Sequence, residues 1–567
     1  MKIKKSALEW CRAPFDLNMQ NQVKSLINKE TELKDAFYKD IEFGTGGIRG
    51  IMGPGTNRIN KYTLGKVAQG LSLYLKDQFR YKKIKAVIAY DSRNKSEYFA
   101  QIVANILSAN SIQVFLFNSL RSTPQLSYTI RSLKANCGIV ITASHNPPDY
   151  NGFKLYWKDG GQIVPPKDIE LEEIINSIKY NEILFEGKKD KLTHLGKNTD
   201  AQFHKVCISL AKQKTNSKRD IKIVFTSLHG TSINSIPVIL EKVGYKNISI
   251  VKEQSTPNGN FPTVLSPNPE EPEALKIAVN QAQKENAEIV IGTDPDSDRL
   301  GIAVKNEDGD FILLNGNQTM MIMSHFLLSV RKEKKLINSK DYIASTIVSS
   351  PVIKKVASYF KINCILTLTG FKWIGKEIEN RKNENFIFGG EESFGYLIGN
   401  KIRDKDAITS ALLACEIGSV LKCQGKTIFD FMIECYKIYG PYKERLINKI
   451  FTGKSGAEKI HKMMSNFRKN PPKTINESKL ESVEDYLFSY KYCLKKNKKY
   501  KLNLPKANVL IYILKDKSKI AIRPSGTEPK IKFYISVNKK NFKYNNWKLT
   551  ELELEKRIDS IVKELKL

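Results

Sequence analysis

Short runs of β-branched residues alternate with amphipathic stretches along most of this chain. The runs expected to form buried strands cover residues 86–89, 113–117, 138–141, 221–225, 288–291 and 364–368. Between them, residues 96–110 and 272–286 show the period of amphipathic helices. This alternation is typical of βα units with largely parallel sheets. In such α/β folds the active site tends to lie beyond the carboxyl ends of the strands.

The chain length predicts several domains. Its 567 residues exceed what one hydrophobic core usually holds, and roughly 150 residues per domain suggests about four. Boundaries are expected at the polar stretch 213–219, near residue 318 and near residue 442. The predicted domains are therefore 1–212, 213–318 and 319–442, each α/β, and 443–567, a smaller α+β domain rich in Lys and Asn.

Composition excludes several classes of protein. With 41% hydrophobic and 27% charged residues the chain is expected to be globular, and it has no apolar run long enough to span a bilayer. No signal peptide is expected, because the first lysines are not followed by an apolar stretch. The eight cysteines form no Cys-x-x-Cys pair, which predicts a reducing, cytoplasmic setting. A net charge of +33 raises nucleic acid or an anionic substrate as partners. Because the lysines are scattered and no nucleic-acid motif accompanies them, a specific nucleic-acid partner is not expected.

The clearest metal signal is Asp-Pro-Asp-Ser-Asp-Arg at residues 294–299, directly after a predicted strand. Asp294, Asp296 and Asp298 could point three carboxylates at one hard cation. A calcium EF-hand would need Gly and Glu where Arg299 and Lys305 stand, so Mg²⁺ is the expected ion. The alternative is a solvated acidic turn, but clustered carboxylates repel one another unless a cation neutralises them.

A hydroxyl nucleophile is expected at Ser144, within Thr-Ala-Ser-His-Asn-Pro at residues 142–147. The motif is not the Gly-x-Ser-x-Gly elbow of serine esterases. The turn that follows and a returning strand at 153–157 could bring Lys154 back beside Ser144 and His145. The alternative is that Ser144 and His145 only satisfy hydrogen bonds of a turn.

Two loops are suited to bind phosphate. Residues 523–527, Arg-Pro-Ser-Gly-Thr, offer a guanidinium, two hydroxyls and a glycine amide, although a simple Pro/Gly turn would look similar. The glycine-rich loop at 43–50 has Arg49 where a dinucleotide fingerprint needs glycine, and it lacks a Walker lysine. It could still hold a phosphate through its amides and Arg49.

A loop suited to sugar hydroxyls is Gly-Gly-Glu-Glu-Ser-Phe-Gly at 389–395. Its carboxylates and hydroxyl can accept hydrogen bonds. The alternative for this segment is a turn that starts a helix.

The combination and order of five segments, at 44–49, 142–154, 294–299, 390–395 and 523–527, resembles the α-D-phosphohexomutase family. That family includes phosphoglucomutases, phosphomannomutases and phosphopentomutases, and the resemblance spans nearly the whole chain. It implies four domains around a central cleft, three mixed α/β domains and a smaller C-terminal α+β domain. It also implies an intramolecular phosphotransferase of the isomerase class, with a phosphosugar as its partner and a monomer or homodimer as its assembly.

The resemblance also implies roles for individual residues. Ser144 would be the phosphorylated serine and would share Mg²⁺ with Asp294, Asp296 and Asp298. The other residues that match cleft positions of the family are Arg49, Lys154, Arg299, Thr369, Glu391, Ser393, Lys405, Arg523, Ser525, Gly526 and Thr527.

The implied reaction moves the phosphoryl group from Ser144 to a substrate hydroxyl, forms a sugar 1,6-bisphosphate and returns the other phosphate to Ser144. Lys154 is the first candidate for proton transfer, provided that Arg49 and Arg299 depress its pKa, and a neutral His145 is the second. The Glu-Glu-Ser-Phe loop at 391–394 resembles glucose-type loops, which favours a phosphoglucomutase, whereas 46–49 and 369–375 look closer to the phosphopentomutase branch. Phosphomannomutase, a phosphoserine-type phosphatase and a basic nucleic-acid-binding protein remain alternatives.

Overall fold

The computed structural model describes residues 2–44, 47–80, 82–211, 218–451, 453–525, 530–539, 542 and 547–567. The chain folds as two compact units, each built from several segments. The first comprises Met1–Leu314, Gly375–Lys382 and Ser393–Gly425, and the second comprises Asn315–Ile374, Asn383–Glu392 and Lys426–Leu567. Both units mix helices with sheets, so the predicted α/β class is confirmed. The division into four domains stays a prediction.

A six-stranded sheet organises the first part of the first unit. Its strands are β1 (Gly47–Ile51), β2 (Lys85–Tyr90), β3 (Gln113–Phe117), β4 (Cys137–Ile141), β5 (Tyr150–Trp157) and β6 (Leu192–Leu195). Their order is β1-β5-β4-β2-β3-β6. Strand β2 is parallel to β3 and β4, whereas β5 is antiparallel to both β1 and β4. The apolar run of β4 is buried along its whole length, as expected of a central strand covered on both faces.

Several of the helices in this part of the chain begin with a recognisable side-chain cap. The helices are α1 (Lys2–Glu9), α2 (Leu17–Leu26), α3 (Glu30–Phe37), α4 (Lys61–Gln78), α5 (Ser96–Ala109), α6 (Thr123–Ser132), α7 (Lys167–Ser177) and α8 (Lys197–Ala211). A capping box between Asn60 and Thr63 starts α4. The side chain of Ser122 caps α6, and the fixed φ of Pro124 suits the first turn of that helix.

The first unit contains a second sheet of five strands. Its strands are β7 (Ile223–Thr226), β8 (Ile248–Ile250), β9 (Ile289–Thr293), β10 (Leu300–Lys305) and β11 (Phe311–Leu313), and its helices are α9 (Ile236–Lys242) and α10 (Pro272–Glu285). The strand order is β11-β10-β9-β7-β8, with β7 parallel to β8 and β9. Strand β10 returns antiparallel to β9. Short 3₁₀ turns occur at Tyr180–Glu182, Lys189–Lys191, Thr231–Asn234 and Lys252–Gln254.

Parallel strands recur in the second unit, at β12 (Asp341–Thr346), β13 (Asn363–Thr367) and β14 (Asn385–Gly390), where β12 pairs with the other two. The helices of the second unit in this stretch are α11 (Gly316–Glu333), α12 (Val352–Tyr359) and α15 (Ile428–Tyr439). The strand β15 (Tyr396–Ile398), the helix α14 (Ala407–Lys422) and most of the helix α13 (Phe371–Asn380) belong to the first unit.

An eight-stranded antiparallel sheet forms the C-terminal part of the second unit. It contains β16 (Tyr442–Ile450), β17 (Thr474–Ile475), β18 (Ser478–Asp485), β19 (Tyr490–Cys493), β20 (Lys498–Lys501), β21 (Leu510–Leu514), β22 (Lys519–Pro524) and β23 (Lys530–Asn538). The helices α16 (Gly453–Lys469) and α17 (Trp547–Glu564) accompany it. Apolar residues of α16, α17 and the central strands share one buried cluster.

The strands and helices expected from the sequence coincide with β2, β3, β4, β7, β9, β13, α5 and α10 to within two residues at each end. The expectation of largely parallel sheets is confirmed in part, because β2, β7 and β12 each pair in parallel with two neighbouring strands. Turn-forming residues after β4 and β9 send the chain straight back as antiparallel partners, which makes both sheets of the first unit mixed. None of the described helices is both long and apolar enough to cross a membrane.

Candidate active site

Two loops of the first unit meet at a buried hydroxyl. The Ser144 loop (residues 142–149) joins β4 to β5, and the Asp294 loop (residues 294–299) joins β9 to β10. Ser144 is buried, and its Oγ donates a 2.6 Å hydrogen bond to Asp294 Oδ2. Two motifs that lie 150 residues apart in the sequence thus come into contact, and the Asp294 carboxylate holds the Ser144 hydroxyl.

His145 also contacts this hydroxyl. Its Nδ1 lies 3.2 Å from Ser144 Oγ. Burial lowers the pKa of His145 well below its ordinary value, and the positive charges of Arg299 and Arg49 lower it further. The imidazole is therefore neutral at neutral pH and can accept or pass on a proton.

The three carboxylates of the Asp294 loop form a compact, buried cluster. Asp294, Asp296 and Asp298 each offer an oxygen within 4.8 Å of the others. Burial raises the pKa of Asp294 well above its ordinary value, and the charges of Asp296 and Asp298 raise it further. Among the residues that the structure describes, Asp296 Oδ1 and Asp298 Oδ1 are buried and accept no hydrogen bond. Buried carboxylate oxygens with unfilled lone pairs fit a hard divalent cation such as Mg²⁺.

Backbone donors fix the shape of the Asp294 loop. Asp294 Oδ1 accepts hydrogen bonds from the backbone N–H groups of Asp298, at 3.0 Å, and Arg299, at 2.9 Å. The other oxygen of Asp294 faces Ser144. These two hydrogen bonds join the start of the Asp294 loop to its end and so fix the loop backbone.

Two lysines face the carboxylates. Lys154 Nζ lies 2.6 Å from Asp296 Oδ2 and 3.0 Å from Asp298 Oδ2, and Lys405 Nζ lies 3.1 Å from Asp298 Oδ2. Burial acts to raise the pKa of Asp298, but these ammonium groups outweigh it and hold that pKa well below its ordinary value. A Cβ at Gly395 would stand 2.1 Å from Lys405 Cδ, so glycine at 395 leaves the space that the lysine stem needs.

The returning strand predicted at 153–157 is confirmed as part of β5, and it carries Lys154 opposite Val140 of β4. The expected depression of the Lys154 pKa is wrong. Burial acts to lower this pKa, but Asp296 and Asp298 outweigh both burial and the charge of Arg49, so that the pKa of Lys154 is raised.

The two predicted arginines of this region are tied to neighbouring residues. Arg49 Nη1 donates a 2.8 Å hydrogen bond to Asn146 Oδ1 of the Ser144 loop. Arg299 forms an ion pair with Glu270, and its Nε lies 3.9 Å from Asp298 Oδ1. Thr45 and Gly46, part of the glycine-rich motif that precedes Arg49, lie outside the described residues.

Sequence reasoning missed Thr123 and Glu270. Thr123 Oγ1 donates a 2.8 Å hydrogen bond to Asp296 Oδ2, and its backbone N–H donates to the Asp296 carbonyl at 2.9 Å. In the sequence, Thr123 looks like the start of a helix. Its place after β3, at the same edge of the sheet as the Ser144 loop, was the available signal.

In the second unit, Thr369 and Glu391 come together. Glu391 Oε1 accepts a 2.8 Å hydrogen bond from the backbone N–H of Gly370. Thr369 Oγ1 is buried and has no hydrogen-bond partner within the described part of the chain. No helix starts within residues 391–395, so the helix-initiating alternative for this segment is wrong. Ser393 is half-buried and belongs to the first unit.

The predicted phosphate loop follows strand β22. Arg523 pairs in register with Lys532 of β23 and is half-exposed, and the backbone N–H of Ser525 donates a 2.8 Å hydrogen bond to the Lys530 carbonyl. Gly526 and Thr527 lie outside the described residues.

The first residue of β22, Lys519, is hydrogen-bonded to other residues of the second unit. Lys519 Nζ donates to the carbonyls of Ile347, at 3.0 Å, and Ser349, and burial lowers the pKa of Lys519 to about 8. Glu392 accepts a 2.7 Å hydrogen bond from Ser349 Oγ. The strand that carries Arg523 is thus joined to the segment that carries Glu392.

Comparison with known proteins assigns the chain to a family. Three models of the phosphoglucomutase/phosphomannomutase family match it, for alpha/beta/alpha domain I at residues 40–182, domain II at 202–309 and domain III at 315–439. Together they cover well over half of the chain.

Individual relatives agree with that assignment. A phosphoglucomutase of Staphylococcus aureus (strain MSSA476) is 38% identical over 518 residues, which are 90% of this chain and 92% of that protein. The structure of pp63/parafusin, a phosphoglucomutase from Paramecium, aligns with a TM-score of 0.70 and 18% identity over 93% of this chain and 96% of its own. An N-acetylphosphoglucosamine mutase of Aspergillus fumigatus, solved with GlcNAc-6P and magnesium, aligns with a TM-score of 0.52 and 12% identity over 93% of this chain and 95% of its own. The two structures share the fold.

Proposed function

This chain belongs to the phosphoglucomutase/phosphomannomutase family, and from that membership we propose that it interconverts glucose 1-phosphate and glucose 6-phosphate. It is a phosphosugar mutase, an intramolecular phosphotransferase of the isomerase class. The glucose preference is supported by the Glu-Glu-Ser-Phe loop at 391–394 and by the name of its 38% identical relatives. The observation that carries the chemistry is the 2.6 Å contact between Ser144 Oγ and Asp294 Oδ2.

We assign the covalent step to Ser144. A substrate hydroxyl attacks the phosphorus of phosphorylated Ser144, the new O–P bond forms, and the bond from phosphorus to Ser144 Oγ breaks. The product is a sugar 1,6-bisphosphate, whose other phosphate returns to Ser144 in the reverse step. The proton of the attacking hydroxyl ends on the released Ser144 oxygen. His145, neutral and 3.2 Å away, is placed to deliver it.

Lys154 takes a different role in this proposal from the one expected. Its carboxylate neighbours keep it protonated, so it supplies positive charge and not a free base. Together with Lys405, Arg49 and Arg299 it balances the negative charge that the phosphate brings to the cleft.

The carboxylate cluster supports Mg²⁺ as the cofactor. Asp294, Asp296 and Asp298 would hold the ion together with an oxygen of Ser144 or its phosphate. When bound, a divalent cation withdraws charge from the phosphoryl oxygens. The donor set suits it, because the buried oxygens Asp296 Oδ1 and Asp298 Oδ1 accept no hydrogen bond within the described chain.

We assign binding of the rest of the substrate to a second group of residues. We propose that Arg523 and Ser525, with Gly526 and Thr527, hold the phosphate that is not reacting, and that Thr369, Glu391 and Ser393 contact sugar hydroxyls. The cysteines are all free, which supports the proposed cytoplasmic setting. A monomer or homodimer is the assembly we propose.

The test is an isomerisation assay with Mg²⁺ across glucose, mannose, glucosamine, ribose and deoxyribose 1-phosphates. We expect the highest kcat/KM for glucose 1-phosphate, and full activity of phosphate-free enzyme only after priming with glucose 1,6-bisphosphate. Release of inorganic phosphate without isomerisation would show a phosphatase. Preference for a pentose or for mannose would replace the glucose assignment.

A further inference from the structure

The backbone of Ser144 has an unusual conformation that contacts with neighbouring residues must hold in place. Its φ is +52°, in the left-handed region that residues other than glycine, Asn and Asp seldom adopt. Such a conformation costs on the order of 1 kcal/mol or more and persists only where surrounding contacts enforce it. The relevant contacts are therefore those of the two peptide groups that flank the serine.

The N–H side of Ser144 is held through a hydroxyl. The Ser144 N–H donates to Thr142 Oγ1 at 2.8 Å, and Thr142 Oγ1 in turn donates to Asp91 Oδ2 at 2.6 Å. Asp91 Oδ1 accepts from Ser96 Oγ at 2.7 Å and from the Arg93 N–H at 3.0 Å. The hydrogen bonds from Ser96 and Arg93 fix the Asp91 carboxylate, and this carboxylate in turn orients the hydroxyl of Thr142.

The carbonyl side is held by the residue that faces the same carboxylate. Arg93 Nη2 donates to the carbonyls of Ser144, at 2.6 Å, and Asn146. Arg93 Nη1 donates to the carbonyls of Pro147, at 2.8 Å, and Tyr150, at 3.0 Å. Both terminal nitrogens of this guanidinium therefore bind the backbone of one short segment, residues 144–150.

Asp91 and Arg93 also face each other, and both side chains are fully buried. Arg93 Nε lies 3.5 Å from Asp91 Oδ2, and the exposure of each side chain is 0%. Burial lowers the pKa of Arg93 only to about 10, so the guanidinium stays charged at neutral pH. A charged donor in a dry environment binds carbonyl oxygens more strongly than a neutral one does.

A segment before α10 covers this ion pair. The ring of Phe261 lies 5.0 Å from the guanidinium carbon of Arg93. A Cβ at Gly259 would stand 2.2 Å from the Asn94 backbone nitrogen, so glycine permits this close approach. Ser266 Oγ donates to the His145 carbonyl at 3.1 Å, which adds a further tie to the Ser144 loop.

We infer that Asp91, Arg93 and Thr142 are positioning residues that clamp both peptide groups of Ser144 and so aim its Oγ at Asp294. This inference rests on the proposed role of Ser144 as the phosphoryl carrier. None of the three touches the reacting oxygen in the described contacts. A displacement of about 1 Å in a reacting group can cost roughly 100-fold in rate, so the clamp acts on kcat.

The experiment compares Arg93→Lys and Thr142→Val with Arg219→Lys as the matched control. Arg219 is also a largely buried arginine of the first unit, paired with Glu416 at 3.1 Å and packed on Tyr245, but no described contact joins it to either loop. For each protein we would measure the thermal midpoint, kcat and KM for glucose 1-phosphate, and the rate at which glucose 1,6-bisphosphate phosphorylates Ser144 by intact mass.

The clamp predicts a split between kcat and KM. Arg93→Lys keeps the charge but cannot reach four carbonyls, so kcat and the phosphorylation rate should fall about 100-fold with KM unchanged. Arg219→Lys should lower the thermal midpoint and leave kcat unchanged. Thr142→Val, which keeps the side-chain shape, should lower kcat about 10-fold, and Thr142→Ser should restore it.

Other outcomes overturn the inference. If Arg93→Lys loses stability but the folded protein phosphorylates Ser144 at the normal rate, the ion pair serves only the fold. If Arg93→Lys does not fold, Thr142→Val decides, and normal kcat in that variant rejects the clamp. Failure of the proposed function is distinct, because then the unaltered protein would take up no phosphoryl group on Ser144.

Discussion

The Ser144–Asp294 region of the first unit and the Arg523 and Thr369–Glu391 region of the second unit are built differently. In the first, Ser144, Asp294, Asp296 and Asp298 are buried, and the Ser144 hydroxyl and both lysines already contact carboxylates. In the second, Arg523 is half-exposed and Thr369 Oγ1 has no partner in the described chain. Groups that must react are held in advance, whereas groups that recognise a ligand keep hydrogen-bonding capacity for it.

The largest effect should come from Ser144→Ala. Removal of Oγ deletes the only atom proposed to carry the phosphoryl group, so kcat should fall by roughly five powers of ten, as when a covalent nucleophile is lost. Intact mass after glucose 1,6-bisphosphate should show one added phosphoryl group on the unaltered chain and none on the variant. A label that moves to His145 or Thr142 would contradict the assignment.

Asp296→Asn should have the next largest effect. A neutral amide weakens cation binding, and a loss of several kcal/mol of charge stabilisation corresponds to about 1,000-fold in kcat. The fold should survive, because Lys154 keeps Asp298 as a partner at 3.0 Å. Calorimetric titration with Mn²⁺ should show weaker binding to this variant and normal binding to Asp310→Asn, which alters an exposed carboxylate. Equal affinities would place the cation elsewhere.

Arg523→Ala tests the second region and should affect binding more than chemistry. Loss of charge-assisted hydrogen bonds worth roughly 1.5–3 kcal/mol predicts a rise in KM of about 10- to 100-fold. Arg445→Ala, which removes a partly exposed arginine that pairs with Asp559 and Glu555 in the same unit, should leave KM unchanged. If instead kcat falls sharply and KM stays constant, Arg523 acts in the chemical step, and the two regions do not separate catalysis from binding.

The smallest expected effect is a change in folding stability with pH, which comes from a buried carboxyl group in the first unit. Asp406 caps α14 beside Lys405, and burial raises its pKa to about 6. Since the unfolded pKa is about 3.9, the folded protein holds the extra proton between these values, and its stability falls as pH rises from about 4 to 6.

Asp406→Asn removes this titration and can keep the cap on the backbone N–H groups of Ile408 and Thr409. In urea unfolding, the stability of the variant relative to the unaltered protein should increase between pH 4 and pH 7, by up to about 3 kcal/mol. A difference that is constant across this pH range would mean that burial does not raise the pKa of Asp406 above its value in the unfolded chain.

Much of the first region could be predicted because its signals are local. The strands before Ser144 and Asp294 are continuous apolar runs, and the turn after Ser144 is rich in Pro, Asn and Gly. The clamp residues Asp91 and Arg93 were not predicted, since each binds partners about 50 residues away. The pKa of Lys154 is raised and not lowered because Asp296 and Asp298, which lie far from it in the sequence, are its neighbours in space.

The sequence by itself determined the chemical groups, the order of the motifs and the strands that carry them, because strand and turn preferences act over a few residues. Tertiary structure alone decided which oxygen faces which donor. Ser144 and Asp294 are 150 residues apart and lie on loops of two different sheets, so their 2.6 Å contact depends on how those sheets pack. Packing also decided that Lys154 pairs with Asp296 and Asp298, because a charge responds to every neighbour in space and not only to neighbours in sequence.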